Sequence, residues 1–247
     1  MTKQIRPIAI LLSILLLVGL QVSAQDDDDV LEYGDTVLGE ITNSEYEVEY
    51  TFSGSAGDVI IIEMIETDIL GELYSPSLIL LNPRGRVHAD TSDGFSFGKV
   101  ILATELLTSG EYTIIATRLD GRTGDSVGEY TLELILPDIL SEDESVSGVV
   151  STESGSEYFL ITTNAPFTIL YDRVSGNMTP EVRVNVFDDF ANGLDTIAAA
   201  WGDELSLATL GTFSRGAPYI VSVGSGLFSF SFTEETAGFT IKLRIVE

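Results

Sequence analysis

"EYTLELIL" at residues 129–136 and "GFTIKLRIV" at residues 238–246 decide the fold, because the chain contains one strand pattern twice. Each stretch has an aromatic residue, then a Thr, then alternating apolar and charged positions. The aromatic residues Tyr130 and Phe239 are 239 − 130 = 109 positions apart. A period of two places one face of a strand on a core and the other in water. The repeated pattern therefore predicts two copies of one β domain.

Other pairs of segments extend this likeness along the chain. "DTVLGEI" and "ESVSGVV" align Gly39 with Gly148, which are again 148 − 39 = 109 positions apart. The spacing drifts in the middle of the two halves, as expected where shared strands are joined by loops of unequal length. The other matching segments are 46–52 with 156–161, 58–62 with 166–170, 75–83 with 179–187, 102–104 with 207–209, and 109–116 with 215–223.

Clusters of Gly, Ser, Asn and Asp separate the short apolar runs, which indicates turns between strands. The continuous apolar runs 60–62 and 78–81 predict more deeply buried strands. "DTIAAAW" at 195–201 comes closest to a helical pattern. Its first two residues align with Asp90-Thr91, so we expect the start of a loop there. The predicted fold class is all-β: two tandem jelly-roll-like antiparallel β-sandwich domains after an N-terminal signal peptide.

The N-terminus has the pattern of a secretory signal. Lys3 and Arg6 precede an apolar run of 13 residues from Ile8 to Leu20, which is too short to span a membrane comfortably. Small residues before Gln25 suggest cleavage after Ala24, and an uncleaved anchor helix is the alternative. We expect a secreted protein, at the cell-envelope exterior or extracellular, with no stable membrane span after cleavage. The predicted boundaries are 1–24 for the signal peptide, 25–30 for an acidic leader, 31–137 for the first sandwich, 138–144 for a linker and 145–247 for the second sandwich.

The overall charge excludes several classes of partner. The chain has 39 acidic and 12 basic residues, a net charge of −27, and removal of the signal peptide would change it to 10 − 39 = −29. Such a field repels nucleic acid and anionic lipid surfaces. Cysteine is absent, which excludes disulfides and Cys-based metal sites, and His88 is the single histidine. A zinc site built from His and Cys is therefore excluded.

Several motifs of the first half, in the correct order over residues 31–136, resemble the bacterial pre-peptidase C-terminal domain family. They are Gly39 in the opening strand, Ala56-Gly57-Asp58 before a buried strand, "PSLILLNPRG" at 76–85 and "SGEY" at 109–112. The second half keeps Gly148, Pro180 and Tyr219 but lacks the Gly-Asp pair, so it resembles a diverged copy.

The resemblance implies compact jelly-roll-like sandwiches in secreted proteins. Such domains usually accompany a protease, are non-catalytic, and are linked to secretion, folding, or surface and matrix binding. Some relatives that bind collagen use calcium at acidic loops. Because the chain contains no recognisable protease domain, this accessory role does not transfer directly.

Two patterns suggest catalysis only superficially. "GFSFG" at 94–98 matches the Gly-x-Ser-x-Gly elbow with Ser96 as the nucleophile, but the elbow needs a histidine further along the chain. His88 precedes Ser96, so we interpret the match as chance and His88 as a loop residue. Adjacent acidic residues on a strand point to opposite faces, so they do not form the flanking pair that a glycosidase needs. We expect no enzymatic activity.

Calcium is the one candidate cofactor. Calcium takes about six to eight oxygen ligands from carboxylates, carbonyls and water. "HADTSDG" at 88–94 places Asp90 and Asp93 in one acidic turn, and "DGRTGD" at 120–125 places Asp120 and Asp125 in another. Neither follows the EF-hand spacing, so the four residues form a tentative calcium site.

Aromatic residues in expected loops suggest a surface for sugars. Trp201, Phe95 and Phe97 would form such a platform if exposed, and would belong to a core if buried. We therefore expect a secreted, non-catalytic binding or scaffolding protein at the cell envelope or extracellular matrix, with polysaccharide or extracellular protein as its partner. An accessory secretion or folding module for a separately encoded secreted hydrolase is the alternative, and a glycosidase is a third hypothesis.

Overall fold

The computed structural model describes residues 29–67, 73, 75–91, 98–151, 156–187, 194–209, 217–224 and 235–246, and within these ranges it contains eighteen strands and no α-helix. The first nine strands are β1 (Val30–Leu31), β2 (Thr36–Ile41), β3 (Glu47–Gly54), β4 (Val59–Glu66), β5 (Pro76–Leu81), β6 (Val87–Asp90), β7 (Lys99–Glu105), β8 (Gly110–Arg118) and β9 (Gly128–Ile135). The other nine are β10 (Asp138–Ile139), β11 (Ser145–Ser151), β12 (Ser156–Ile161), β13 (Phe167–Gly176), β14 (Glu181–Phe187), β15 (Leu194–Trp201), β16 (Glu204–Thr209), β17 (Tyr219–Gly224) and β18 (Thr236–Ile245).

The two halves of the chain share one strand order. In the first half, β1-β3-β8-β5-β6 form one sheet and β2-β9-β4-β7 form another. In the second half the orders are β10-β12-β17-β14-β15 and β11-β18-β13-β16, which are the same with nine added to every label. The short β1 and β10 pair in parallel with β3 and β12, and all other pairings between these strands are antiparallel. The predicted all-β class of antiparallel sandwiches is therefore confirmed, and duplication of one domain is our interpretation of the shared order.

The repeated stretches that open the sequence occupy equivalent inner positions. β9 lies between β2 and β4, and β18 lies between β11 and β13. Gly39 faces Tyr130 in register, and Gly148 faces Phe239 in the same way. A Cβ on Gly39 would lie 2.4 Å from the Tyr130 ring, and one on Gly148 would lie 2.6 Å from the Phe239 ring. Each glycine therefore leaves room for an aromatic ring to lie across its strand.

Each half closes its own apolar core between its two sheets. The first core includes Phe52, Tyr112 and Tyr130, and the rings of Phe52 and Tyr112 stack with centroids 5.5 Å apart. The second core includes Phe159 and Phe239, whose rings meet edge to face at 6.2 Å. The remaining side chains of both cores come mainly from alternate positions of the strands, as a period of two requires.

A third apolar cluster joins the two sandwiches. Val59 and Ile61 of β4 and Ala103 of β7 pack with Tyr158 of β12 and Ile220 of β17. The molecule is therefore a stack of four sheets, with the second sheet of the first sandwich against the first sheet of the second sandwich.

The position of β4 inside this stack explains its composition. Ile60, Ile62 and Met64 face the first core, whereas the alternate residues face the other sandwich, so both faces are buried. The equivalent β13 alternates between buried and half-exposed residues over its first half, because none of the four sheets that the structure describes covers its outer face.

The motif residues of the first half shape turns. Gly57 has a φ of +94°, and the Asp58 carboxylate accepts hydrogen bonds from the Ser55 N–H and the Tyr33 hydroxyl, both at 2.8 Å. Gly85 has a φ of +67°, in a turn where the side-chain oxygen of Asn82 accepts bonds from two following backbone N–H groups. Only glycine adopts such positive φ values at little cost, so these residues are explained by backbone geometry alone.

Three predicted boundaries or segments differ in the structure. The stretch 195–201 is not the start of a loop: it belongs to β15, which pairs with β14 and packs Ile197 and Ala198 against the second core. The predicted linker 138–144 begins with β10, and Leu140 is a member of the second core. Val30, assigned to the acidic leader, lies in β1 and pairs with Thr51. β1 and β10 have only two residues each, so their alternation is too brief to recognise.

Several predicted features lie outside the described residues. They are the signal peptide 1–24, residues 25–28 of the leader, Asp93, Phe95, Ser96 and Phe97. In the part of the chain that the structure describes, no helix is long and apolar enough to cross a membrane.

Candidate functional site

A groove opens at the junction of the two sandwiches, beside the apolar contact between them. Its volume is about 240 Å³, and eight of the ten residues that line it are polar or charged. Lys99 and Ile101 of β7 form the wall on the first sandwich. The second sandwich contributes the floor from its first sheet, with Ser156, Tyr158, Glu181, Arg183, Asn185, Thr196, Ser222 and Gly224. We call this feature the interdomain groove.

The register of β14 and β15 places an exposed aromatic ring at this groove. Trp201 is directly opposite Glu181, and directly opposite residues of an antiparallel pair project from the same side of the sheet. Because Glu181 lines the groove, Trp201 stands on the same side, next to it. Its side chain is 62% exposed. Trp201 therefore borders the groove as a surface aromatic residue and belongs to neither core.

A hydrogen-bond network fixes the centre of the floor. The Asn185 amide donates to the Ile220 carbonyl at 3.1 Å and to the Ser222 hydroxyl at 3.3 Å. Its amide oxygen accepts a bond from the Thr196 hydroxyl at 2.9 Å. Asn185 is only 2% exposed, so these bonds hold its amide in one orientation. The buried amide therefore fixes the positions of the Thr196 and Ser222 hydroxyls that line the floor.

The charged groups of the groove are paired. Arg183 Nη2 lies 2.6 Å from a carboxylate oxygen of Glu181, whose side chain is 4% exposed. Lys99 Nζ forms an ion pair with Glu63 of β4, whose side chain is 1% exposed. These pairs neutralise the buried carboxylates that would otherwise be costly to remove from water.

Glu63 also links the two sandwiches. Its carboxylate accepts a hydrogen bond of 2.9 Å from the Tyr158 hydroxyl of β12, on the other sandwich. Burial, and then the charge of Glu63, raises the pKa of Tyr158 well above its usual range, so Tyr158 stays a neutral donor. One buried carboxylate is therefore bound by a lysine of its own sandwich and a tyrosine of the other.

A second glutamate beside this contact has an altered pKa. Glu133 of β9 is directly opposite Glu63 of β4. Burial first, and then the charges of Glu63 and Glu157, raise the pKa of Glu133 to about 7 against the opposing charge of Lys99. Burial, and then Asp138, also raises the pKa of Glu157. The interface therefore carries more carboxylates than its one lysine compensates.

Of the four residues predicted to bind calcium, the structure describes three, and these belong to two different parts of the first sandwich. Asp90 ends β6, whereas Asp120 and Asp125 flank the 3-10 turn Gly121–Thr123 in a different connection. No cluster of three or more acidic or histidine side chains suited to a metal ion occurs in the described residues.

A positively charged side chain already binds the oxygens of the second loop, at residues 120–125. Arg118, which is 2% exposed, donates through Nε to the Gly121 carbonyl at 2.8 Å and through Nη1 to the Ser126 carbonyl and the Asn43 side chain. These oxygens are the kind of ligand that calcium needs, and the guanidinium charge repels a second cation. This arrangement disfavours calcium at Asp120 and Asp125, and the site at Asp90, Asp93, Asp120 and Asp125 stays a prediction.

His88 is held by local contacts. It lies in β6 and not in a loop, its Nε2 is 2.9 Å from the Glu105 carbonyl oxygen, and its ring meets that of Tyr112 edge to face. Packing and hydrogen bonding therefore account for a histidine at this position.

The sequence marked Trp201 as a residue whose exposure would matter, although it favoured a core position for it, and it did not indicate the residues that line the groove. Glu181, Arg183 and Asn185 occupy alternate positions of β14, and the sequence treats them simply as the polar face of a strand. Glu181 and Asn185 are nevertheless buried. The sequence signal for this was that polar residues alternate with valines along a strand that is buried on its other face. Asn185 bonds to residues of the neighbouring strands β15 and β17, and Lys99 and Ile101 of the other sandwich lie across the groove, so no local pattern could reveal the burial.

Neither a known family model nor a curated protein matches this chain. Among solved structures, it is similar to the pre-peptidase C-terminal domain of a collagenase from Bacillus anthracis, with 16% identity and a TM-score of 0.32 over 43% of this chain and 92% of that domain. It is also similar to the triple jelly roll protein of an archaeal virus turret, with 12% identity and a TM-score of 0.26 over 87% of this chain and 60% of that one. The CUB1-EGF-CUB2 domains of rat MASP-1 show 7% identity and a TM-score of 0.24, over 86% of this chain and 99% of that one. At these values the likeness concerns the β-sandwich fold alone.

Proposed function

We propose that this chain is a secreted, non-catalytic binding or scaffolding module that acts at the cell envelope or in the extracellular matrix. The interdomain groove is the observation that carries this proposal. Ligand sites favour domain junctions, where a few fixed polar groups line a concave surface. Here the Asn185 network and the Glu181–Arg183 pair supply such groups, and Trp201 lies beside them.

The pairing of the carboxylates supports binding over catalysis. A glycosidase needs one carboxylic acid and one free carboxylate on either side of the bond that breaks. Glu181 is bound to Arg183, and Glu63 is covered by Lys99 and Tyr158. Neither is available to donate a proton or attack a sugar without first losing its ion pair. The groove therefore suits recognition of a ligand that remains unchanged.

The location outside the cytoplasm and the family of the first sandwich belong to the same proposal. The N-terminal pattern that ends at Ala24 supports export, and the ordered motifs of residues 31–136 support membership of the pre-peptidase C-terminal domain family. The turns around Gly57 and Gly85 give those motifs a structural reason.

A secretion and retention experiment tests the proposal. The full-length chain is expressed in a secreting bacterium, recovered from the medium, and passed over columns of insoluble polysaccharides and of extracellular protein fibres. We expect an N-terminus at Gln25 and retention on at least one polymer, with heat-denatured protein as the control. Passage through every column together with co-purification of a secreted hydrolase would instead support the accessory role. Hydrolysis of any polysaccharide by the purified chain would refute the non-catalytic assignment.

A further inference from the structure

We propose that the interdomain groove binds one chain of a neutral polysaccharide, with Trp201 as the surface on which a sugar ring stacks. This inference rests on the proposed binding function and specifies its ligand class and its site. It depends on the position of the aromatic ring, the chemistry of the floor and the balance of charge.

The position of Trp201 allows a sugar ring to stack on its indole face. It is 62% exposed at the end of β15 and lies across from the groove residue Glu181. An indole ring has a large apolar face, and such rings usually become covered when a partner binds. A sugar ring offers an apolar C–H face of matching size, with hydroxyl groups around its edge that can reach the adjacent floor.

The floor matches the hydroxyl edge of a sugar. The hydroxyls of Thr196 and Ser222 can each donate and accept hydrogen bonds, as sugar hydroxyls do, and the buried Asn185 amide holds both of them in place. Because they already bond to this amide, little conformational entropy is lost when a ligand binds. Arg183 has five N–H donors, and its ion pair with Glu181 engages Nη2. A volume of about 240 Å³ accommodates a short segment of an extended polymer.

The charge balance favours a neutral ligand. The charged side chains that line the groove are held in ion pairs, Lys99 with Glu63 and Arg183 with Glu181. The nearby Glu133 and Glu157 add only negative charge, so the groove as described offers no spare positive charge to an anionic ligand. The chain as a whole has a net charge of −27, which repels polyanions. An uncharged polymer meets no such repulsion.

Trp201 is the only tryptophan of the chain, so intrinsic fluorescence reports directly on this site. The full chain is titrated with cellohexaose, mannohexaose and chitohexaose, and with an oligogalacturonate of equal length as the anionic probe. We expect a saturable change in emission with at least one neutral hexasaccharide and none with the oligogalacturonate.

Variants locate the binding. Trp201→Ala should weaken binding of the same hexasaccharide about tenfold or more by calorimetry, because a central aromatic residue commonly dominates such an interface. Trp201→Phe should restore part of the affinity. Val149→Ala is the matched control: Val149 is a 64% exposed apolar residue of the same sandwich, on β11 of the opposite sheet, and its loss should leave binding unchanged.

The outcomes separate this inference from the proposed function. If hexasaccharides bind but Trp201→Ala binds equally well, the groove assignment is overturned and the binding function stands. If no neutral hexasaccharide binds while the chain is still retained on protein fibres, the ligand class is wrong and the binding function again stands. Equal binding of the oligogalacturonate also overturns the neutral class. Failure of every hexasaccharide and every column overturns both proposals.

Discussion

Replacing Glu133 by Gln should stabilise the protein at alkaline pH and leave it unchanged in acid. Glu133 lies opposite Glu63, near Glu157, and Lys99 offsets only part of their charge. Its pKa rises to about 7 from the ordinary 4.5. A carboxyl whose folded pKa is raised contributes stability that is fully present below pH 4.5 and is lost as the pH rises through 7. Gln cannot ionise, so the variant avoids this loss.

The size of the effect follows from the same shift. A rise from 4.5 to about 7 corresponds to about 3 kcal/mol without solvent screening, because each pKa unit is worth about 1.4 kcal/mol. Glu133 is half-buried, and water reduces such terms, so we expect about 1–2 kcal/mol. Glu133→Gln should therefore raise the free energy of unfolding by this amount at pH 8 and by nearly nothing at pH 4.5.

Urea denaturation at pH 4.5, 6 and 8 measures this difference through the transition midpoint. Glu129→Gln is the matched control, because Glu129 is an exposed residue on the same strand, and its effect on the midpoint should be much smaller than that of Glu133→Gln at pH 8. If Glu133→Gln gives the same change at pH 4.5 and pH 8, or destabilises the protein at pH 8, the reasoning from burial and like charge is wrong.

Three further predictions follow from packing, the interface and the acidic loops. Gly148→Ala should lower stability by about 1–3 kcal/mol in a denaturant melt, because the new Cβ meets the Phe239 ring, whereas Ser147→Ala next to it should be nearly neutral. Tyr158→Phe should cost about 1–3 kcal/mol, because it removes a hydrogen bond to the buried Glu63, and an unchanged melting midpoint would contradict that role. Calcium bound at the predicted acidic loops would stabilise the folded state by about 2.7 kcal/mol at a hundred times the Kd, and so raise the melting midpoint in millimolar calcium relative to chelator; equal midpoints would exclude the site.

Local patterns predicted the strands and their inward faces well. The two repeated stretches became equivalent inner strands, and the paired Gly39 and Gly148 each lie under an aromatic ring. The prediction that a loop starts at residues 195–201 was wrong for a local reason. Three consecutive alanines between Ile197 and Trp201 hide the alternation that indicates a strand. Only pairing with β14 shows which of these residues face inward.

The candidate site could be predicted only in part. The tryptophan was singled out as the residue whose exposure would matter, and it is exposed. The calcium prediction weighed the acidic residues of 120–125 without the buried Arg118, which binds the carbonyls of the same loop. Arg118 precedes that loop, and its side chain folds back into it, a direction that sequence spacing does not specify.

The amino-acid sequence alone determined that the chain forms β-sandwiches, because the two-residue period of a strand is a local property. It also marked β4, through its run of apolar residues, as a strand with two buried faces. Only the tertiary structure decided what covers the outer face, and so brought together Glu63 and Tyr158, which are 95 positions apart. That contact and the groove beside it depend on how whole sheets stack, and the energy of such stacking is spread over many residues that no single stretch contains.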